Sequence, residues 1–310
     1  MGSRGKLYLL SFCSEGPPAD SGEDLSGNVN NIKTLLSDFF DDIFIYSPSS
    51  LKECDGSQDF CNVQEGVFPL NPGIHANGCG DFKSFLIDRK LSEMDEGDIL
   101  FYHDCNFHKY PQYWQTDWGN LRDMVDFLLT ENNSDIFIPF EHDAFGVKPQ
   151  VRMHGKRYTT DIIIKDPKES KIVSQCWEIA SSRMVIKNTE FSRHFFKEYK
   201  ELCRRKDLLT KYPNPNPYPE FTHSCPEQHV LNCLIYRYIL EGKLDKHFPR
   251  YSFPERKLIL NKNVEYRINE ELSKYMSVKT IKEFENTHRN GRKDKNIRRA
   301  KKFGQDIFGT

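Results

Sequence analysis

The sequence predicts an α/β domain in which a mostly parallel central sheet is flanked by helices on both faces. Three observations carry this expectation. Apolar runs of strand length, bounded by turn residues, alternate with helix-spaced stretches through the first 140 residues. Helical crossovers of that kind join parallel strands and cover both faces of their sheet. The chain has 310 residues, 37% hydrophobic and 29% charged, which suits one sizeable globular core.

The expected strands are residues 7–12, 43–46, 98–102, 135–140, 161–164 and 183–186, each an apolar run closed by turn formers. The expected helices are residues 28–40, 81–91, 189–204 and 226–241. In the first of them Val29, Ile32, Leu35, Leu36 and Phe39 recur at helical spacing, and in the second Phe82, Phe85, Leu86 and Leu91 do. Helix 189–204 is expected to follow an Asn188 cap and stacks Phe191, Phe195, Tyr199 and Leu202 along one side. Helix 226–241 carries Pro226 in its first turn, where a missing N–H costs nothing, and stops at Gly242. Between these two helices, residues 212–219 place proline at every second position. That stretch cannot be regular helix or central strand, and is expected to rim a pocket. The expected organisation is one domain over residues 1–277 and a basic helix or tail over residues 278–310.

Nine cysteines without a CxxC pair exclude structural zinc of that kind. Reduced thiols are expected, with a Cys54–Cys61 bridge left open. A formal net charge of -1 sets up no global attraction for nucleic acid, although eleven Lys, Arg and His residues crowd positions 279–302. The longest apolar runs, such as residues 162–164, fall far short of the about 20 residues that span a bilayer. The first residues lead into a strand without the features of a signal peptide, so a cytosolic location is expected. Peripheral contact of the basic tail with anionic lipid is compatible with its charge.

The sharpest local signal is residues 97–106, Gly-Asp-Ile-Leu-Phe-Tyr-His-Asp-Cys-Asn. A short apolar strand delivers Asp104 and Asn106 at its carboxyl end, where open α/β sheets bind ligands, with both side chains on one side of an extended backbone. Two oxygen donors there suit a hard divalent cation against a diphosphate.

This stretch resembles that of nucleotide-sugar glycosyltransferases of the GT-A type, which carry Asp-x-Asp at this place. Members from bacterial capsule systems and large DNA viruses precede it with a Gly-Asp, apolar, Tyr-x-Asp run. The resemblance extends to residues 77–83 with residues 85–91, a glycine- and aromatic-containing segment with Lys83 at a helix start. It extends further to Lys187, Asn188 and Thr189 within residues 184–199, and to residues 221–228, where Glu227 and Gln228 open a helix. Together these cover roughly residues 6–240 in the family's order. The one departure is Asn106 in place of the usual aspartate, a neutral oxygen where the family has a charged ligand.

The resemblance implies a single GT-A, Rossmann-like domain that moves a sugar from a nucleoside diphosphate donor, by default a uridine one, to a glycan hydroxyl. It implies a Mn2+ or Mg2+ ion on Asp104 and Asn106. Donor contacts would come from Ser11, Phe12 and Cys13 at the end of the first strand, the turn at Gly78 and Gly80, Lys83 on a phosphate, His103, Asp104 and His223. Glu227 would be the general base of an inverting reaction, with Asp143 its rival. His229 is a further candidate for a diphosphate contact, and Trp114 and Trp118 are candidate sugar platforms.

Each residue also has a plainer reading. Asp104 and Asn106 suit turns after strands, Lys83 a solvated helix surface, and Phe12, Trp114 and Trp118 the core. Ser224 and Glu227 have capping-box spacing, and His223 and His229 can be packing histidines. Two other functions stay open at this point. One is a catalytically degenerate binding or scaffold module, which Asn106 permits; the other is nucleic-acid binding through residues 279–302, where few aromatics interleave.

Overall fold

The computed structural model describes residues 4–12, 33–34, 36–61, 80–104, 121–131, 133–139, 150–209, 217–220, 225–245 and 248. All belong to the unit Met1–Ile268; the unit Asn269–Thr310, which contains the whole basic tail, lies outside them.

Strands β1 (Leu7–Phe12), β2 (Asp42–Tyr46), β3 (Ile99–His103), β4 (Ile136–Phe137) and β5 (Arg183–Lys187) make one open sheet in the order β2-β1-β3-β5-β4. β1 pairs in parallel with both β2 and β3, while β5 runs antiparallel to β3 and β4. The sheet is therefore mixed, which corrects the mostly parallel arrangement expected. A strand buried on both faces reads as a continuous apolar run whichever way it points, so residues 183–186 carry no signal of β5's reversed direction.

Helices α1 (Pro48–Lys52), α2 (Gln58–Cys61) and α3 (Phe82–Glu93) lie between β2 and β3, and α4 (Leu121–Glu131) precedes β4. A second group, α5 (Val151–His154), α6 (Arg157–Ile164) and α7 (Pro167–Gln175), comes before β5. α8 (Glu190–Arg204), α9 (Lys206–Leu209) and α10 (Pro226–Leu240) follow it. One sheet face presents Leu7, Leu9, Phe101, Phe137 and Val185 to a core closed by Leu36, Phe40 and the α4 residues Val125 and Leu128. The other face meets α3, which packs on α8; α10 packs in turn on α8 and on α6.

Three local expectations are corrected. Residues 161–164 are the end of helix α6 rather than a strand. Thr159, Thr160, Ile163 and Ile164 make a buried helical face while Arg157 and Asp161 point outward, and a run of three isoleucines is too short for its period to be read. The 135–140 strand shrinks to Ile136–Phe137, with Phe140 outside the described residues. The cap of α8 is Thr189, whose side chain accepts from Ser192 N in a capping box. Asn188 instead donates to the carbonyls of Met94 at 2.8 Å and Asp95 at 3.0 Å, tying the end of β5 to the turn before β3.

Helix 226–241 ends as expected, with Gly242 at φ +70. Of the expected helix 28–40, the described part is helical at residues 33, 34 and 36, and Phe39 and Phe40 pack on the core. Cys176 and Cys233 are buried thiols, as expected; the Cys61 side chain, and with it the Cys54–Cys61 bridge left open, lies outside the described residues. Among the described residues no helix is long and apolar enough to cross a membrane.

Candidate functional site

From β1 the chain passes to β2 on one side and then back to β3 on the other, so the carboxyl ends of β1 and β3 flank a topological switch point, the usual ligand crevice of open α/β sheets. Leu10 and Tyr102 are in register there. Alternation along β3 sends Tyr102 and Asp104 to one face and Phe101 and His103 to the other. The Phe101 and His103 rings stack with centroids 6.3 Å apart, and the Tyr102 hydroxyl donates to Asp104 Oδ1 at 2.7 Å.

Helix α3 brings a cation to Asp104. Gly80 precedes it at φ +85, a conformation that side chains resist, and a Cβ at this position would lie 3.1 Å from Glu227 Oε2. Glycine thus both turns the chain and leaves room for a carboxylate. Phe82 stacks on Phe12 with centroids 3.8 Å apart, docking the helix start on the end of β1. The next residue, Lys83, is buried with its ammonium 5.8 Å from the Tyr102 ring centre. Its Nζ donates to Asp104 Oδ2 at 3.2 Å and Ser181 Oγ at 3.2 Å, and lies 3.6 Å from Glu227 Oε2.

Helix α10 brings the second carboxylate. Glu227 sits in its first turn and is buried; Ser181 Oγ donates to Oε2 at 3.0 Å, and the Tyr199 hydroxyl donates to Oε1. The helix cap is Cys225 without a side-chain capping bond, and Ser224 lies outside the described residues. Glu227 therefore spends its carboxylate on Lys83, Ser181 and Tyr199.

Burial pushes the Glu227 pKa above the usual carboxylate value, against the pull of Lys83. Burial opposes the Lys83 charge, but Asp104 and Glu227 outweigh it and hold the lysine above its ordinary value. The trio is thus an ammonium between two carboxylates. The Asp104 side chain is 24% exposed, against 9% for Lys83 and 5% for Glu227. Asp104 is thus the most exposed member of the trio.

Seven residues singled out from the sequence meet at this sheet end or directly beneath it: Ser11, Phe12, Gly80, Lys83, His103, Asp104 and Glu227. Two of them are already engaged in holding the strands. Ser11 is buried and its hydroxyl donates to the His103 carbonyl at 2.6 Å, while Phe12 packs on Phe82. His103 places Nδ1 2.7 Å from the Asp104 carbonyl. Burial and the Arg183 cation opposite it on β5 lower its pKa to about 4, so it is a neutral imidazole at pH 7. His229 lies elsewhere: its Nε2 is 3.1 Å from both the Lys156 carbonyl and Thr160 Oγ1, a packing contact between α10 and α6. Cys13, Gly78, Asn106, Asp143, His223, Trp114 and Trp118 lie outside the described residues.

Sequence reasoning missed Ser181, Tyr199 and Arg183. Tyr199 read as one member of an apolar helix face, although a tyrosine in such a face needs a partner for its hydroxyl. Ser181 and Arg183 carried no signal, because their relevance comes from the antiparallel register of β5 on β3.

The donor types assigned to a cation, the Asp104 carboxylate and the Asn106 amide, are the hard oxygens that Mn2+ and Mg2+ prefer. Among the described residues no group of three His, Cys, Asp or Glu side chains could hold a metal ion, and Asn106 lies outside them. Compared with known proteins, the chain matches no family model, and no curated protein matches it either.

Proposed function

We propose that the chain transfers a sugar from a nucleoside diphosphate donor to a hydroxyl of a glycan acceptor. The observation that supports this most is the convergence, at the carboxyl ends of two adjacent parallel strands, of Asp104, Lys83 and Glu227 from three separate elements. In the reaction the bond from the anomeric carbon to the diphosphate oxygen breaks and one to the acceptor oxygen forms. The leaving diphosphate takes the electron pair, and the Lys83 ammonium offsets its growing charge. Asp104 and Asn106 would hold a manganese or magnesium ion, which supplies Lewis-acid stabilisation of the same leaving group.

Glu227 acts in this reading as a positioning residue. Its buried carboxylate is bonded by Tyr199 and Ser181 and fixes the Lys83 ammonium. The acceptor proton then falls to Asp143, the other carboxylate that the sequence offers as a base.

The experiment is a thermal-shift series with uridine, guanosine and thymidine diphosphates, each with manganese, magnesium or chelator. At least one diphosphate is expected to raise the melting temperature of the wild type, and Asp104→Ala is expected to abolish that rise. A wild type that none of the three diphosphates shifts would falsify the proposal.

A further inference from the structure

Away from the trio, a cleft of about 550 Å3 opens between α6, α7 and the segment 217–220, the end of the proline-punctuated loop. Its charge is unbalanced. Among the described residues Arg152, Arg157, Lys165 and Lys171 line it against two carboxylates, Asp161 and Glu220. Those carboxylates sit with the arginines, Glu220 at 3.3 Å from Arg152 and Asp161 at 3.8 Å from Arg157. Lys165 and Lys171 have no carboxylate partner among the described residues. On a chain of formal net charge -1 this is a local surplus of positive charge facing a concavity.

The lining also has the hydrogen-bonding chemistry of a sugar site. Ser170 and Ser174 place hydroxyls in the lining, and Gln175 adds an amide side chain. Tyr218 and Pro219 add an apolar wall, and the Tyr218 hydroxyl reaches Thr160 and Ser174, which holds the segment down on α6 and α7. Aromatic and hydroxyl groups around a few cations suit a polar ring with acidic substituents better than an apolar ligand.

The cleft also connects to the trio. One-turn helix α5 contacts both ends of residues 220–225: Arg152 pairs with Glu220, and the His154 carbonyl accepts from Cys225 N at 3.0 Å. Glu227 follows two residues later in the first turn of α10. Helix α5 thus touches both the cleft residue Glu220 and Cys225, two residues before the carboxylate that holds Lys83.

We propose that this cleft binds an anionic oligosaccharide through its carboxylate or sulfate groups. Its role as the acceptor site rests on the transferase reading above, while the binding itself does not. The test is fluorescence anisotropy on the full chain with four labelled probes: hexagalacturonate, a sulfated hexasaccharide, neutral maltohexaose and hexathymidylate. An acidic hexasaccharide is expected to bind about tenfold or more tighter than maltohexaose, with affinity falling as salt rises. Preference for hexagalacturonate assigns carboxylate groups, and preference for the sulfated probe assigns sulfate; either supports the site.

Lys165→Glu with Lys171→Glu, both exposed positions, is expected to lower that affinity about tenfold while leaving the diphosphate thermal shift in place. Equal binding of maltohexaose, indifference to the charge reversals, or hexathymidylate binding as tightly as the glycans would each overturn the proposal. A diphosphate shift without glycan binding removes this site and spares the transferase reading. Glycan binding without any diphosphate shift keeps the site and removes the acceptor role.

Discussion

At the residue scale the candidate site is built around one buried ammonium. Lys83 is worth burying only because two carboxylates meet it, and an unpaired charge at that depth would cost far more than its contacts return. Glu227 can be tested as a positioning residue in a way that separates it from a base. With Glu227→Gln the amide keeps the shape and loses the charge that holds Lys83. The expected outcome is a smaller diphosphate-induced thermal shift together with slower transfer, whereas loss of a base alone would slow transfer and leave the shift intact. Comparison of the shift with kcat across pH distinguishes the two. Asp104 was legible in the sequence from its place at a strand end, whereas Lys83 and Glu227 became candidates through the family resemblance. That Glu227 faces Lys83 rather than its own helix cap was not legible, because capping-box spacing and a tertiary contact use the same residues.

At the scale of elements, the packing of α10 on α5 and α6 depends on a glycine. A Cβ on Gly155 would come within 2.0 Å of His229 ring atoms, closer than any real contact. The ring is buried, and its Nε2 lies within reach of the Lys156 carbonyl and Thr160. It has no easy way to move aside. Gly155→Ala is expected to destabilise the protein by about 1–3 kcal/mol or more, read as a lowered urea midpoint at unchanged slope. The reason is overpacking rather than backbone strain, since Gly155 has φ -118. Helix α10 itself was legible from Pro226, its apolar repeat and Gly242. Helix α6 was not, since three consecutive isoleucines satisfy a buried strand and a buried helix face alike.

At the scale of the whole molecule, buried titratable groups set how stability varies with pH. His229 is held near a pKa of about 4 by burial, against an ordinary 6.5. As pH falls below 6.5 the unfolded chain takes up a proton that the fold refuses, so stability is lost between pH 6.5 and 4, by about 3 kcal/mol from this group. His103, lowered to about 4 by burial and Arg183, acts in the same direction. Asp81 opposes them. Burial raises its pKa from 3.8 to about 6 even with Lys206 beside it, so the fold keeps a proton that the unfolded chain releases. Its contribution falls by about 3 kcal/mol as pH rises from 3.8 to 6. The two histidines thus favour pH 7 over pH 4, and Asp81 and Glu227, both raised by burial, oppose them. Asp81→Asn is expected to raise stability at pH 7, leave it unchanged below pH 4 and steepen the acid limb; urea unfolding across that range checks all three.

The sequence by itself determined the α/β class, the positions of β1, β2, β3 and β5, the course of α3, α8 and α10, and the placing of Asp104 at a strand end. These follow from periodicity, turn residues and helix ends, which act over a few neighbours. Only the tertiary structure decided that β5 runs backwards beside β3, bringing Ser181 and Arg183 to the site, that Lys83 spans Asp104 and Glu227, and that His229 turns away to α6. Those facts depend on which distant segments pack together, and the burial that selects such partners is a property of the assembled core rather than of any one stretch of chain.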